Sequence, residues 1–195
     1  MMNKLKLSQG LNILSGYKKG YKTSFILKWA NNLSKANKVL YINWAKQESV
    51  FINQLLSMGE QISPNFIIDS LYEYLDANAF IEIFEKIENE KIDIIFFDDI
   101  IVNSYRNYED KYFKTCDDVA VALDFIARKL KTKVILTISV KQQSILANIS
   151  ISQKIRMLSK QIYFIKAEYE KEPVLSNDYK FSIYMLDDKD IKQIL

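Results

Sequence analysis

The stretch Gly16-Tyr17-Lys18-Lys19-Gly20-Tyr21-Lys22-Thr23-Ser24 constrains this chain more than any other. It follows a short apolar run, Leu11-Asn12-Ile13-Leu14, and leads into Phe25-Ile26-Leu27-Lys28-Trp29-Ala30, where apolar residues recur at helical spacing. Strand, loop and helix in that order are the context of a phosphate-binding loop, G-x-x-x-x-G-K-[ST]. Its backbone N–H groups wrap the phosphates, its Lys reaches the outer phosphates and its hydroxyl serves Mg²⁺. Counted from Gly16, Lys22 and Thr23 stand where that lysine and that hydroxyl belong. The residue before the lysine should be glycine and is Tyr21, while Gly20 lies one place early. Gly16, Lys19, Gly20, Lys22, Thr23 and Ser24 are the candidate phosphate contacts, and Thr23 is also a candidate metal ligand. A plain strand-to-helix turn that carries lysines fits the local string as well, and the rest of the chain weighs toward the loop.

A second signal is Ile92-Asp93-Ile94-Ile95-Phe96-Phe97-Asp98-Asp99. A buried strand ending in an acid is the Walker B pattern, in which the terminal carboxylate points toward Mg²⁺ or its waters. Asp98 is the candidate metal ligand here. A buried strand followed by an Asp-rich turn is the alternative, and the pattern gains weight only because a candidate phosphate loop precedes it.

Between and beyond these signals the chain alternates strands with helices. Predicted strands are 11–15, 39–44, 65–69, 92–99 and 133–139; predicted helices are 23–36, 48–58, 79–89 and 119–130. Two last strands, 161–166 and 180–186, are expected to close as an antiparallel pair. Such alternation means an α/β fold, a mostly parallel central sheet flanked by helices, with ligands at the strands' C-terminal ends. At 195 residues the chain is expected to be one domain, 1–195. Four glycines and two prolines leave most connections to Asn, Asp, Ser and Lys.

Composition excludes several chemistries. With no histidine and the single Cys116, neither a Cys–His nucleophile, an internal disulfide nor the usual zinc ligand sets can be assembled. A net charge of +3 permits a nucleic-acid partner without arguing for one. No apolar run is long enough to span a bilayer and the N-terminus has no signal core, so the expectation is a cytoplasmic protein with no membrane partner.

The order of the parts resembles a known family. The loop at Gly16, the VLYINW strand, the FINQLLSMG helix, the PNFIIDS strand, the IDIIFFDD strand and the KVILTISVKQQ strand follow one another as in the RecA-like P-loop core of the DnaB-like replicative helicases. The resemblance covers nearly the whole chain and lies in order and spacing. It implies that Lys22 and Thr23 bind ATP phosphates and Mg²⁺, that Asp98 is the Walker B acid, and that Gln142 or Gln143 senses the terminal phosphate. It also implies that the segments 103–118 and 141–156 face single-stranded DNA, with Lys141, Lys154 and Arg156 as basic contacts. Tyr105, Tyr108, Tyr112 and Phe113 of the first segment would stack on bases, or pack against a protein partner or the domain itself.

The chain departs from that family at several points. Besides Tyr21, the catalytic glutamate expected directly after the second strand is replaced by Ala45-Lys46, which leaves Glu48 or Asp99 as the candidate base. Arg106, Arg128 and Arg156 are the only arginines, and none stands where a basic finger is expected. The family's N-terminal collar domain is expected to be absent. Two functions follow as expectations. One is an ATP-binding domain tied to DNA replication or recombination, with weak or lost hydrolysis. The other is a pseudo-ATPase module that assembles with itself or a protein partner and does not use nucleotide. A small-molecule phosphotransferase, which needs several arginines to clamp the moving phosphate, is disfavoured.

Overall fold

Two runs buried at every position, Val39–Asn43 and Ile94–Asp98, lie side by side within an eight-stranded sheet. Strands buried on both faces read as continuous apolar runs because helices cover them above and below. The computed structural model describes residues 5–17, 22–43, 46–70, 77–98, 116–140, 152–168, 180–186 and 191–193. Its strands are β1 (Gly10–Tyr17), β2 (Val39–Asn43), β3 (Phe66–Ser70), β4 (Ile94–Asp98), β5 (Lys133–Val140), β6 (Gln161–Glu168), β7 (Lys180–Leu186) and β8 (Ile191–Gln193). Its helices are α1 (Lys22–Leu33), α2 (Glu48–Ser57), α3 (Ala77–Glu90), α4 (Cys116–Lys129) and α5 (Gln153–Leu158).

The strand order is β3-β2-β4-β5-β1-β6-β7-β8. The six strands from β3 to β6 are parallel, and β7 and β8 add to the β6 edge in antiparallel fashion. The expected antiparallel closure of 161–166 on 180–186 is present, Ile165 pairing with Ile183.

Direction of travel sorts the helices. From β1 the chain moves to β2 and then outward to β3; from β3 it returns through β4 and β5 to β6. Right-handed crossovers therefore put α1 and α2 on one face and α3, α4 and α5 on the other. The two cores bear this out. Phe25, Trp29, Phe51 and Leu55 of α1 and α2 pack with Leu14, Tyr41, Phe96 and Ile135. Ile83, Ile87, Leu123, Ile126 and Ile155 of α3, α4 and α5 pack with Ile13, Ile42, Phe97 and Leu136. Alternate residues of each strand feed alternate cores, as the pleat requires. The reversal falls between β1 and its neighbour β5, and such a switch opens a crevice at the strands' C-terminal ends.

Lysine takes the place of glycine at two helix ends. α3 and α4 each close on a left-handed residue, Lys91 at φ 53° and Lys131 at φ 54°. The following amides, Ile92 N and Thr132 N, reach back to Ile87 O and Ala127 O at 3.1 Å each.

Two expectations need correction. Residues 153–158, where no helix was predicted, are helical because Ser152 Oγ accepts from Ile155 N at 3.1 Å and Ile155 drops into the core. Residues 116–118 likewise belong to α4, with Asp117 and Asp118 in its first turn, where the helix dipole favours acids. The short strand β8 was not expected at all.

Candidate phosphate site

Gly16 is the penultimate residue of β1, and Lys22 opens α1. A Cβ at Gly16 would lie 3.2 Å from the Ile165 carbonyl oxygen of β6 and 3.3 Å from Lys22 Cδ. The glycine is needed here for room, since the lysine stem lies directly over the backbone. Lys22 itself is only 4% exposed.

Its amino group is directed at the end of β4. Lys22 Nζ stands 4.0 Å from Oδ1 of Asp98, a carboxylate with no exposed surface. β5 separates β1 from β4, so the lysine reaches across the C-terminal end of β5 to make this approach. A buried carboxylate must be satisfied by its surroundings, and Asp98 is. Tyr41 of β2 donates its hydroxyl to Oδ2 at 2.5 Å, and Thr137 of β5 donates to Oδ1 at 2.8 Å. Asn43, level with Asp98 in the β2–β4 register, donates its side-chain amide to the Asp98 carbonyl at 3.3 Å.

Sequence reasoning singled out Gly16, Lys22 and Asp98 as candidates, and the fold brings them close together. It missed Tyr41 and Thr137, which sat inside runs read simply as core. Their signal was the pleat: Tyr41, Asn43 and Thr137 lie on the strand faces turned to the same core as Asp98.

The remaining candidates are placed as follows. Thr23 is half-buried in the first turn of α1. Ser24 Oγ accepts from Gln54 Nε2 of α2 at 2.8 Å, which ties the two helices together. Glu48 is exposed in the first turn of α2. Lys154 and Arg156 are exposed on α5, which packs on the opposite face of the sheet from α1. Lys19, Gly20, Tyr21, Asp99, Lys141, Gln142, Gln143 and the aromatic residues between 103 and 115 lie outside the described residues.

Among the described residues no group of three or more His, Cys, Asp or Glu side chains forms a metal cage. Mg²⁺ does not require one, since it keeps its waters and takes one or two carboxylates together with substrate phosphates. Asp98 fits that role through its waters: each oxygen has two lone pairs, and Tyr41 and Thr137 occupy one on each.

No protein-family model matches the chain, and no curated protein matches it in sequence. Solved structures do match in shape. The flagellar accessory protein FlaH from Methanocaldococcus jannaschii superposes with a TM-score of 0.63 at 19% identity, covering 92% of this chain and 79% of that one. The KaiC-like protein PH0186 from Pyrococcus horikoshii OT3 superposes with a TM-score of 0.68 at 11% identity, covering 95% of this chain and 82% of that one. Both have RecA-like folds, and at these identities the likeness carries the fold and nothing finer. This chain has the RecA-like α/β fold.

Proposed function

We propose that this chain is an ATP-binding domain whose hydrolysis is weak or lost. The observation that carries the reading is the buried Lys22–Asp98 approach at the C-terminal ends of β1 and β4, 4.0 Å apart. A cation and an acid placed there serve the two halves of a Mg²⁺-nucleotide. Lys22 would hold the outer phosphates, and Thr23 and Asp98 would hold the metal through its waters. Mg²⁺, when bound, would supply positive charge that offsets the phosphates.

Three features argue against efficient hydrolysis. Tyr21 stands at the loop position where glycine is expected. Glu48 is exposed in the first turn of α2, five residues beyond the end of β2, where the glutamate is expected directly after the strand. Asp98 accepts hydroxyl donors on both oxygens. The last of these also supports a second reading, a pseudo-ATPase that pairs with itself or a protein partner without nucleotide, since the carboxylate is satisfied by the protein alone.

A DnaB-like role on single-stranded DNA in replication or recombination rests on the exposed Lys154 and Arg156. If they hold phosphates, affinity for an oligonucleotide falls steeply with salt. A flat response removes DNA from the reading.

Calorimetric titration with Mg²⁺ and a non-hydrolysable ATP analogue tests the main proposal. Micromolar binding that disappears in Lys22→Ala supports it. No binding at millimolar analogue overturns it in favour of the second reading.

A further inference from the structure

We propose that the Tyr41 hydroxyl is a positioning group that competes with the Mg²⁺ water shell for the Asp98 carboxylate, and so sets the metal dependence of the phosphate site. The inference rests on the nucleotide reading above and goes beyond it by assigning a role to a residue of β2.

The geometry is specific. Tyr41 projects from β2 toward the α1–α2 side of the sheet, and its hydroxyl donates to Asp98 Oδ2 at 2.5 Å. The ring is clamped: Phe51 of α2 packs edge-on at 5.4 Å between centroids, and Phe66 of β3 lies at 6.1 Å. A phenol held on two sides cannot follow a carboxylate that turns away, so Asp98 keeps its orientation for as long as it keeps this bond. Thr137 fixes the other oxygen from β5 at 2.8 Å.

Metal-bound waters are also hydrogen-bond donors, and they address the same acceptor. Hydrogen bonds to an ionised oxygen are among the stronger ones, and each occupies a lone pair that no second donor can use. Two of the carboxylate's four lone pairs are thus taken by protein donors before any metal arrives. A hydrated cation gains only what the protein has left over. Removing the Tyr41 hydroxyl leaves a buried acceptor short of one donor, a deficit that the metal's waters repair.

Tyr41→Phe is the test, because it keeps the ring between Phe51 and Phe66 and removes the hydroxyl. The full chain and the variant are titrated with the non-hydrolysable ATP analogue, once in EDTA and once in saturating Mg²⁺. Equal affinities in EDTA and a gain on the order of tenfold for the variant in Mg²⁺ are the expected result. Binding in the variant alone, with none by the parent chain at millimolar analogue, overturns the nucleotide reading and with it the inference that rests on it. An unchanged or smaller ratio of Mg²⁺ to EDTA affinities overturns the role of Tyr41 while nucleotide binding by the parent chain stands. Absence of binding in both proteins under both conditions overturns both readings. A purely structural tyrosine would lower the melting temperature without moving that ratio. Should Tyr41→Phe fail to fold, Thr137→Val releases Oδ1 of the same carboxylate, and the same gain is required of it.

Discussion

Lys22 Nζ and Asp98 Oδ1 stand 4.0 Å apart, with side chains only 3% and 0% exposed. The two arrive from different ends of the crevice, one from the helix after β1 and one from the last position of β4. Both signals that organised the sequence therefore converge on one buried point. The hydroxyls of Tyr41 and Thr137 complete the surroundings of the acid.

Removing either partner leaves a buried charge uncompensated, which is costly even where the intact pair adds little. Lys22→Met is expected to destabilise by about 2 kcal/mol, less than a tightly bonded buried pair would lose, because the two hydroxyls remain on Asp98. Asp98→Asn presents an amide N–H to one of those hydroxyls and forces it to turn, with a loss of similar size. The double variant should cost less than the sum of the singles by about 1 kcal/mol. Urea denaturation of the four proteins checks this, and strict additivity would mean that the pair does not interact.

Gly16→Ala places a methyl 3.2 Å from the Ile165 carbonyl and 3.3 Å from Lys22 Cδ. The carbonyl belongs to the β1–β6 ladder and has little freedom, so the lysine stem must give way. The expected loss is about 1–2 kcal/mol of stability. Affinity for the ATP analogue should fall further than stability alone explains, because Lys22 is displaced. Melting and titration of the same sample separate the two effects.

The fold was legible where periodicity was long. Four apolar residues in a row, as in Val39–Ile42 and Ile94–Phe97, or the stripe Phe80, Ile83, Phe84 and Ile87 on α3, leave few alternatives. What escaped was short or tertiary. α5 has six residues and is held by a cap and one buried isoleucine, and β8 has three residues, too few to show an alternation. The insertion of β5 between β1 and β4 is a property of the sheet with no local trace in the chain. It nonetheless determines that Thr137 meets Asp98. Tyr41 escaped for the opposite reason, since an aromatic in a buried strand needs no explanation until its hydroxyl is seen to have a target.

Tyr163 offers a prediction in pH. Its hydroxyl donates to Lys6 O at 2.6 Å, with Gln161 Oε1 at 2.9 Å, and burial raises its pKa above the ordinary 10.0. In the alkaline range the unfolded chain loses this proton before the folded one does. The contribution is therefore complete below pH 10 and is lost as pH rises through the raised native value. Tyr163→Phe should be less stable at neutral pH and should show a flatter alkaline limb in denaturation between about pH 9 and 11. Parallel limbs in the two proteins would show that this hydroxyl does not titrate with unfolding.

The bond from Gln54 Nε2 to Ser24 Oγ separates scaffold from site within the phosphate loop itself. Ser24→Ala and Gln54→Ala delete the same half-buried contact, so each should lose about 1 kcal/mol and the double variant little more. At this chain length that is a fall of roughly 2–4 °C in melting temperature. The two variants part company on ligand. If Ser24 does nothing but anchor α1 to α2, both bind the ATP analogue alike. If its hydroxyl also touches phosphate, Ser24→Ala alone weakens binding, because Gln54 occupies one acceptor position and leaves the hydroxyl proton to donate. We expect the second outcome, since Ser24 follows Thr23 in the first turn of α1, where backbone amides point at any bound anion. Equal affinities for the two variants would confine Ser24 to the scaffold and leave Lys22 and Thr23 as the side chains that hold the phosphates.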